Sequence, residues 1–337
     1  MQKNIRKLRF LSDIRHKLSL LYRHNIVYEQ YPFLSHLSKR RLLNNGAIGV
    51  VYMLHHIAPK SPDRIPTNED LKVTPEFLEK LIIRYKKQNI DFISLDELSN
   101  RLTSQNMHRN PFVSFTIDDG YLDNYTQAFP VFQRNNVPFA IFVATDFIEK
   151  KSILWWDSIE ELILTNDYIT IKDGTRYPCL TFQQRWDTFR YLRERILKLN
   201  QTHIKYELEN MFDRYDIDWL EPIKKKGMSW SQIIELSKHP LCTIGGHTVS
   251  HPALNMLNDS EFQYEIKKGI ENLEAATGNK IEHFAYPYGS TNEIGERERQ
   301  LIRELGFKTV FRADGGCITL NDMHHTQNLP RVYLHNI

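Results

Sequence analysis

Cysteine is scarce in this 337-residue chain, and the three present, Cys179, Cys242 and Cys317, form no C-x-x-C pair. An odd, widely spaced set is not a disulfide framework and fits reduced thiols in a cytosolic setting. An excess of one charge is also lacking. Lys and Arg number 44 against 41 Asp and Glu, a net charge of +3, so there is no bulk electrostatic footprint for nucleic acid. Nor is there an apolar run of the roughly 20 residues that a bilayer-spanning helix needs. What remains is a globular chain of one large domain, or one domain with additions, long enough to bury a core.

The first forty-odd residues differ from the rest. Lys3, Arg6, Lys7, Arg9, Arg15, Lys17 and Arg23 interleave with Ile5, Leu8, Leu11, Ile14, Leu18 and Leu21. Apolar steps of three and four predict a basic amphipathic helix. Asp13, Arg15 and Lys17 interrupt any secretory apolar stretch, and no small-residue cleavage sequence follows, so the segment does not read as a signal peptide. Residues 1–46 are therefore read as a basic amphipathic extension. Residues 1–25 suit the surface of an anionic membrane or a packing face on the domain itself.

Two motifs organise the remainder. Thr116-Ile117-Asp118-Asp119-Gly120 sets paired carboxylates directly after the apolar run Phe112-Val113-Ser114-Phe115, where a strand gives way to a turn. His247-Thr248-Val249-Ser250-His251-Pro252 follows another apolar segment, Leu241 to Ile244, and the pair Gly245-Gly246. Histidines four apart predict a helical turn with both rings on one side, within reach of one divalent ion. A carboxylate and two imidazoles make three protein ligands, which leaves a fourth position for water or substrate and is the catalytic rather than the structural pattern. Each motif alone is weak, since Asp-Asp-Gly is common in turns and spaced histidines are common on helices. A third strand-end motif, Phe284-Ala285-Tyr286-Pro287-Tyr288-Gly289, strengthens both.

Together these residues resemble the polysaccharide deacetylases of the NodB-homology type, carbohydrate esterase family four. Thr116 to Gly120 matches the first family motif with Ile117 in its second place, and His247 to Pro252 matches the second throughout. The third motif resembles the branch with Phe-Ala-Tyr-Pro-Tyr-Gly, typical of enzymes acting on bacterial surface glycans. The resemblance runs from about Ile48 to the C-terminus. It implies a distorted (β/α) barrel, read here as a domain over residues 47–337 with a helical insertion at about 146–228.

The alternation along the chain agrees with that fold. Ile48 to Leu54, the short Phe92-Ile93, Phe112 to Ile117, Phe139 to Val143, Leu241 to Ile244, His283 to Tyr286 and Phe307 to Phe311 read as strands that alternate with helices, and Leu329 to Val332 leads into a C-terminal strand, the pattern of a parallel α/β sheet. Thr74-Pro75-Glu76 starts a helix with Phe77, Leu78, Leu81, Ile82 and Tyr85 inward. Tyr121 to Gln133 reads as one helix. Within the insertion, Trp155-Trp156-Asp157 opens a helix whose tryptophans offer flat faces to a sugar ring or pack into a core.

The resemblance implies Asp119, His247 and His251 as metal ligands, most simply for Zn²⁺, with cobalt, nickel and iron also compatible with these ligand types. It makes Asp118 the general base for water attacking an acetamide carbonyl. A backbone N–H at Tyr288 or its neighbour is the expected partner of the oxyanion. Tyr286, Tyr288, Trp155 and Trp156 are the expected substrate contacts. The family arginine that orients the base has no counterpart at Ala285, so Arg331 in Leu-Pro-Arg-Val is the candidate fork for Asp118. Leu334-His335 resembles the last motif and makes His335 the candidate general acid, with His55, His324 and His325 as alternatives. The expected function is N-deacetylation of an N-acetylated amino sugar in a surface polysaccharide or its glycolipid or nucleotide-linked precursor. With no export signal read, a cytoplasmic enzyme peripheral to the inner face of the membrane is expected. A glycan-binding protein on a degenerate scaffold and an amidohydrolase of a small nitrogenous substrate are the other readings.

Overall fold

The computed structural model describes residues 46–104 and 110–335, so the amphipathic helix expected near the N-terminus lies outside the described residues. Seven strands among those described close a parallel barrel: β1 (Ala47–Leu54), β2 (Phe112–Asp119), β3 (Phe139–Val143), β4 (Cys242–Gly246), β5 (His283–Ala285), β6 (Thr309–Gly315) and β7 (Leu329–Tyr333). Each pairs in parallel with the next in chain order, and β7 returns to β1 through Tyr52 against Val332. All seven coincide with apolar runs in the sequence, because a parallel strand covered by helices outside and packed side chains inside is apolar on both faces. The ring is uneven. Its register slips between Phe311 and Gly315 on β6, and Ile318–Thr319 adds to β1 antiparallel.

The helices follow local rules. Thr74 Oγ1 caps α1 (Pro75–Lys87), which buries Leu78, Leu81, Ile82 and Tyr85 while Phe77 stays half-buried. The stretch expected as one helix after the first motif is helical without interruption over residues 122–135, with a π-helical turn at Asn124–Ala128 that leads into α2 (Phe129–Asn135). Pro130 explains the widened turn: it has no N–H to give to the ladder and its ring crowds the preceding turn. Among the described residues, no helix is long and apolar enough to cross a membrane.

Between β3 and β4 the strand–helix beat gives way to α3 (Trp155–Thr165), an antiparallel hairpin of Tyr168–Thr170 with Arg176–Pro178, and α4 (Phe182–Ile196), which Thr181 and Gln184 close with a capping box. This region has an apolar cluster of its own, containing Trp155, Ile159, Phe189, Ile196, Phe212 and Trp219. Trp186 packs against that cluster half-buried. The three cysteines are free thiols.

Candidate active site

Parallel pairing brings the C-terminal ends of β2, β3 and β4 together, with Asp119 opposite Val143 and Val143 opposite Gly246. This is the rim where barrel folds place their chemistry. Gly245 and Gly246 let β4 close on its neighbours. A Cβ on Gly245 would stand 2.5 Å from the Phe142 ring, and one on Gly246 would stand 2.5 Å from Ile270.

The adjacent carboxylates diverge. Thr116 and Asp118, two apart on β2, share a face and both meet Arg331. Its Nη1 and Nη2 donate to Asp118 Oδ1 and Oδ2 at 2.7 Å each, Nη1 also reaches Thr116 Oγ1 at 3.1 Å, and Nε reaches the Arg312 carbonyl at 3.1 Å. The guanidinium lies against the neighbouring rings of Phe142 and Phe311, 5.6 and 5.9 Å from their centroids. Both partners are buried, Arg331 at 1% exposure and Asp118 at 2%. Burial raises the Asp118 carboxyl, but Arg331 and then His247 outweigh it and hold the group below the usual carboxylate range.

Asp119 leaves the strand in the left-handed region, φ +80°. That conformation is uncommon for a non-glycine residue and is found where the surroundings over-determine it, often at functional sites. Its Oδ1 stands 3.3 Å from Nε2 of both His247 and His251. The three donor atoms lie within 4.8 Å of one another.

This arrangement fits a cation. His247 Nδ1 donates to the Ala285 carbonyl at 2.7 Å, which leaves the lone pair on Nε2 aimed at Asp119 in the neutral imidazole. Asp119 Oδ1 is buried with no hydrogen-bond partner among the described residues. Converging lone pairs at that distance repel unless a positive charge lies among them. Asp119, His247 and His251 form a candidate three-ligand metal site.

The expected helical turn between the two histidines is not formed. Residues 247–251 are a loop in which Thr248 has φ +74° and His251 φ +63°. Pro252 supplies part of the reason, since it disfavours helical backbone at the residue before it. The rings still converge, with centroids 5.0 Å apart, because the two left-handed residues fold the loop back on itself. One group not singled out from sequence holds this loop. Glu265, on α6 (Asp259–Thr277, after α5 at Trp230–Ser237), accepts from Val249 N at 3.0 Å, Ser250 N at 2.9 Å and Ser250 Oγ at 2.9 Å. The only sequence signal is its position, an acid within the apolar stripe of Phe262, Ile266 and Leu273.

A cavity of about 380 Å³ adjoins the histidine loop and includes His251, Ser250, Trp155, Tyr288, Asp146 and Tyr206 in its walls. Trp155 is buried and donates Nε1 to Tyr288 Oη at 3.1 Å. Tyr288 packs edge-on to His251 at 4.8 Å and Trp156 does so at 5.6 Å. Tyr286 does not line the cavity; it is 1% exposed and packs against Phe284 in the core. Asp146 is pushed up to about 6, by burial first and by Glu265 second.

Two histidines flank the strand ends. His55 follows β1, its carbonyl accepts from Asn124 at 2.7 Å, and its ring stacks 6.0 Å from Tyr333. Burial lowers His55, against the pull of Asp119 and Asp118. His335 stacks on the same Tyr333 at 5.8 Å. His324 and His325 lie beyond β6, before the short helical turn at Thr326–Asn328.

Comparison with known proteins gives a match of residues 105–310 to the family model for polysaccharide deacetylase. Among solved structures, the chain is similar to the Streptococcus pyogenes deacetylase PplD in complex with acetate, at 16% identity and a TM-score of 0.57 over 85% of this chain and 92% of that one. It is also similar to IcaB from Ammonifex degensii, at 20% identity and TM-score 0.54 over 86% of this chain and 92% of that one. A third similar structure is the BpsB deacetylase domain from Bordetella bronchiseptica, at 14% identity and TM-score 0.51 over 86% and 96% of the two chains. At these identities the likeness is one of fold. No curated protein matches the chain.

Proposed function

Since the chain belongs to the polysaccharide deacetylase family and is therefore a hydrolase of carbon–nitrogen bonds, we propose that it hydrolyses the acetamide of an N-acetylated amino sugar in a bacterial surface polysaccharide or its glycolipid or nucleotide-linked precursor. The observation that carries this reading is the convergence of Asp119, His247 and His251 beside a separate carboxylate held by Arg331. The similarity to IcaB and to the BpsB deacetylase domain, and the Phe284 to Gly289 motif, support the surface-glycan assignment.

Asp119, His247 and His251 hold a divalent ion in this reading, and zinc suits mixed imidazole and carboxylate ligation. Such an ion supplies Lewis acidity toward the acetamide carbonyl and makes water easier to deprotonate. Asp118 takes the proton from the attacking water, and Arg331 fixes the angle of its carboxylate. A backbone N–H of the Pro287-Tyr288-Gly289 turn assists the developing oxyanion. A histidine protonates the departing amine, so water and the amide become acetate and a free amine. Tyr288 and Trp155 contact the sugar from the cavity, and Trp156, half-buried beside His251, borders it.

His335 and His55 compete for the acid role. His55 lies at the end of β1 with its ring stacked on Tyr333, and His335 stacks on the same Tyr333 and has its place in the Leu-His motif, which favours His335. Gln substitution at the true acid is expected to lower turnover about 100-fold or more with metal content unchanged, and at the other to leave it within about tenfold. Steady-state acetate release from both variants decides the assignment.

The substrate class is tested by acetate release across N-acetylhexosamine glycolipids and polymers; no release from any of them would overturn the reading. For the metal, purified protein is expected to carry about one divalent ion per chain, and His247→Ala or Asp119→Ala to lose most of it. Elemental analysis showing full occupancy in both variants would rule the site out.

Residues 1–25 are proposed to touch an anionic membrane surface, on their interleaved basic and apolar residues alone. Each basic side chain contributes about 1 kcal/mol near such a surface, and salt screens it. Deleting the segment is expected to abolish salt-sensitive sedimentation with anionic vesicles while sparing activity on a soluble substrate. A truncated chain that still sediments, or a full chain that never does, removes the membrane reading.

A further inference from the structure

We propose that Glu265 is a positioning residue for the metal-ligand loop, holding residues 248–251 in the form in which His251 reaches the same point as His247 and Asp119. The inference rests on the metal-site reading above.

The loop has little regular structure of its own. It follows β4, contains two non-glycine residues in the left-handed region, Thr248 and His251, and ends against Pro252. For a β-branched residue such as Thr248 that backbone is an outlier, kept only where neighbours impose it. Neighbours act from two sides. From the barrel, Thr145 N and Asp146 N donate to the carbonyls of Thr248 and Val249, at 3.2 and 2.9 Å. From the helix, Glu265 accepts the N–H groups of those same two peptides, at Val249 and Ser250, and the Ser250 hydroxyl. Within the loop, His251 N donates to Thr248 Oγ1 at 3.1 Å.

The peptide groups 248–249 and 249–250 are thus each held twice, at the carbonyl from the barrel side and at the N–H by Glu265. A carboxylate that accepts two consecutive N–H groups orients both peptide planes, which sets the direction in which the chain leaves toward His251. Close approach of the helix makes this reach possible. At Gly269, one turn beyond Glu265, an added Cβ would lie 2.9 Å from the Thr248 carbonyl carbon and oxygen, so the helix axis can come this near only with glycine there. His251 Nδ1 has no hydrogen-bond partner among the described residues. Its ring is therefore aimed by its backbone and aromatic neighbours, and not by a hydrogen bond of the kind that His247 makes to Ala285.

The test compares wild type, Glu265→Ala, Glu265→Gln and, as a control on the exposed face of the same helix, Glu271→Gln. Zinc affinity is measured by chelator competition, and amide hydrogen exchange is followed in the metal-free proteins. Glu265→Ala is expected to weaken zinc binding about 10–100-fold, the usual effect of removing a partner that orients a ligand. It should also speed exchange at Val249 and Ser250 while β3 and β4 stay protected. Glu265→Gln should recover most of both, because its amide oxygen still accepts from the two N–H groups; Glu271→Gln should match wild type. Wild-type affinity and exchange in Glu265→Ala would overturn the inference alone, and so would equal losses in Ala and Gln with protection gone throughout the barrel. A wild-type chain that binds zinc no better than Asp119→Ala would overturn the metal reading itself.

Discussion

Asp118→Asn is expected to lower turnover on an N-acetylated substrate by about two to four orders of magnitude, the usual worth of a general base, while metal content stays at the wild-type level. The expectation depends on how β2 separates two adjacent carboxylates. Asp118 faces the barrel interior with Thr116 and is committed to Arg331. Asp119 turns out of the strand at φ +80° toward the histidines. Because Arg331 and its other partners hold Asp118 below the usual carboxylate range, the group is ionised near neutral pH and ready to accept a proton. Asparagine keeps the shape and one acceptor but cannot take a proton in that range. Asp119→Asn should instead lose metal and rate together, so elemental analysis run beside acetate release tells the two positions apart. Turnover of Asp118→Asn within about tenfold of wild type would assign the proton acceptor elsewhere.

The barrel is legible in the sequence because its causes are local. A strand covered on both faces must be apolar along its length, and each of the seven runs, such as Phe139 to Val143, is followed by a helix or turn signal. The motifs are legible for the same reason, since they stand at the ends of those runs. The loop conformation between His247 and His251 is not. Spacing four reads as a helical turn, and what prevents one is Pro252 together with three hydrogen bonds to a helix that begins eight residues after His251. Glu265 was hidden in the same way, as one acid on an amphipathic helix whose partner loop pairing alone does not reveal. Arg331 was reachable only by elimination from the third motif, whereas its four donated bonds are a property of the closed ring, in which β7 lies within reach of β2 across the interior. The halves of the tryptophan pair also divide on packing that spacing cannot foresee: Trp155 is 4% exposed in the insertion core and Trp156 is half-buried toward His251.

Arg331→Met is expected to cost about 3–5 kcal/mol of stability, the range for removing one partner of a buried ion pair, and to depress turnover as well. The cost is not chiefly the lost attraction. Asp118 would remain buried with a charge whose solvation the guanidinium now replaces, and Thr116 Oγ1 and the Arg312 carbonyl would each lose a donor. Arg331→Lys is expected to fall between, because one ammonium cannot place two parallel bonds on the carboxylate while also reaching Thr116 and Arg312. The double change Asp118→Leu with Arg331→Met should recover most of the lost stability, since Phe142 and Phe311 already border the space with apolar rings, and a buried ion pair replaced whole by apolar side chains is often no less stable. That double variant should have no measurable turnover. Urea denaturation of all four proteins in the presence of chelator keeps metal binding out of the comparison. A double variant as unstable as Arg331→Met would mean that shape, and not an uncompensated charge, sets the cost. An Arg331→Met chain with wild-type stability and turnover would show that the fork holds nothing the reaction needs.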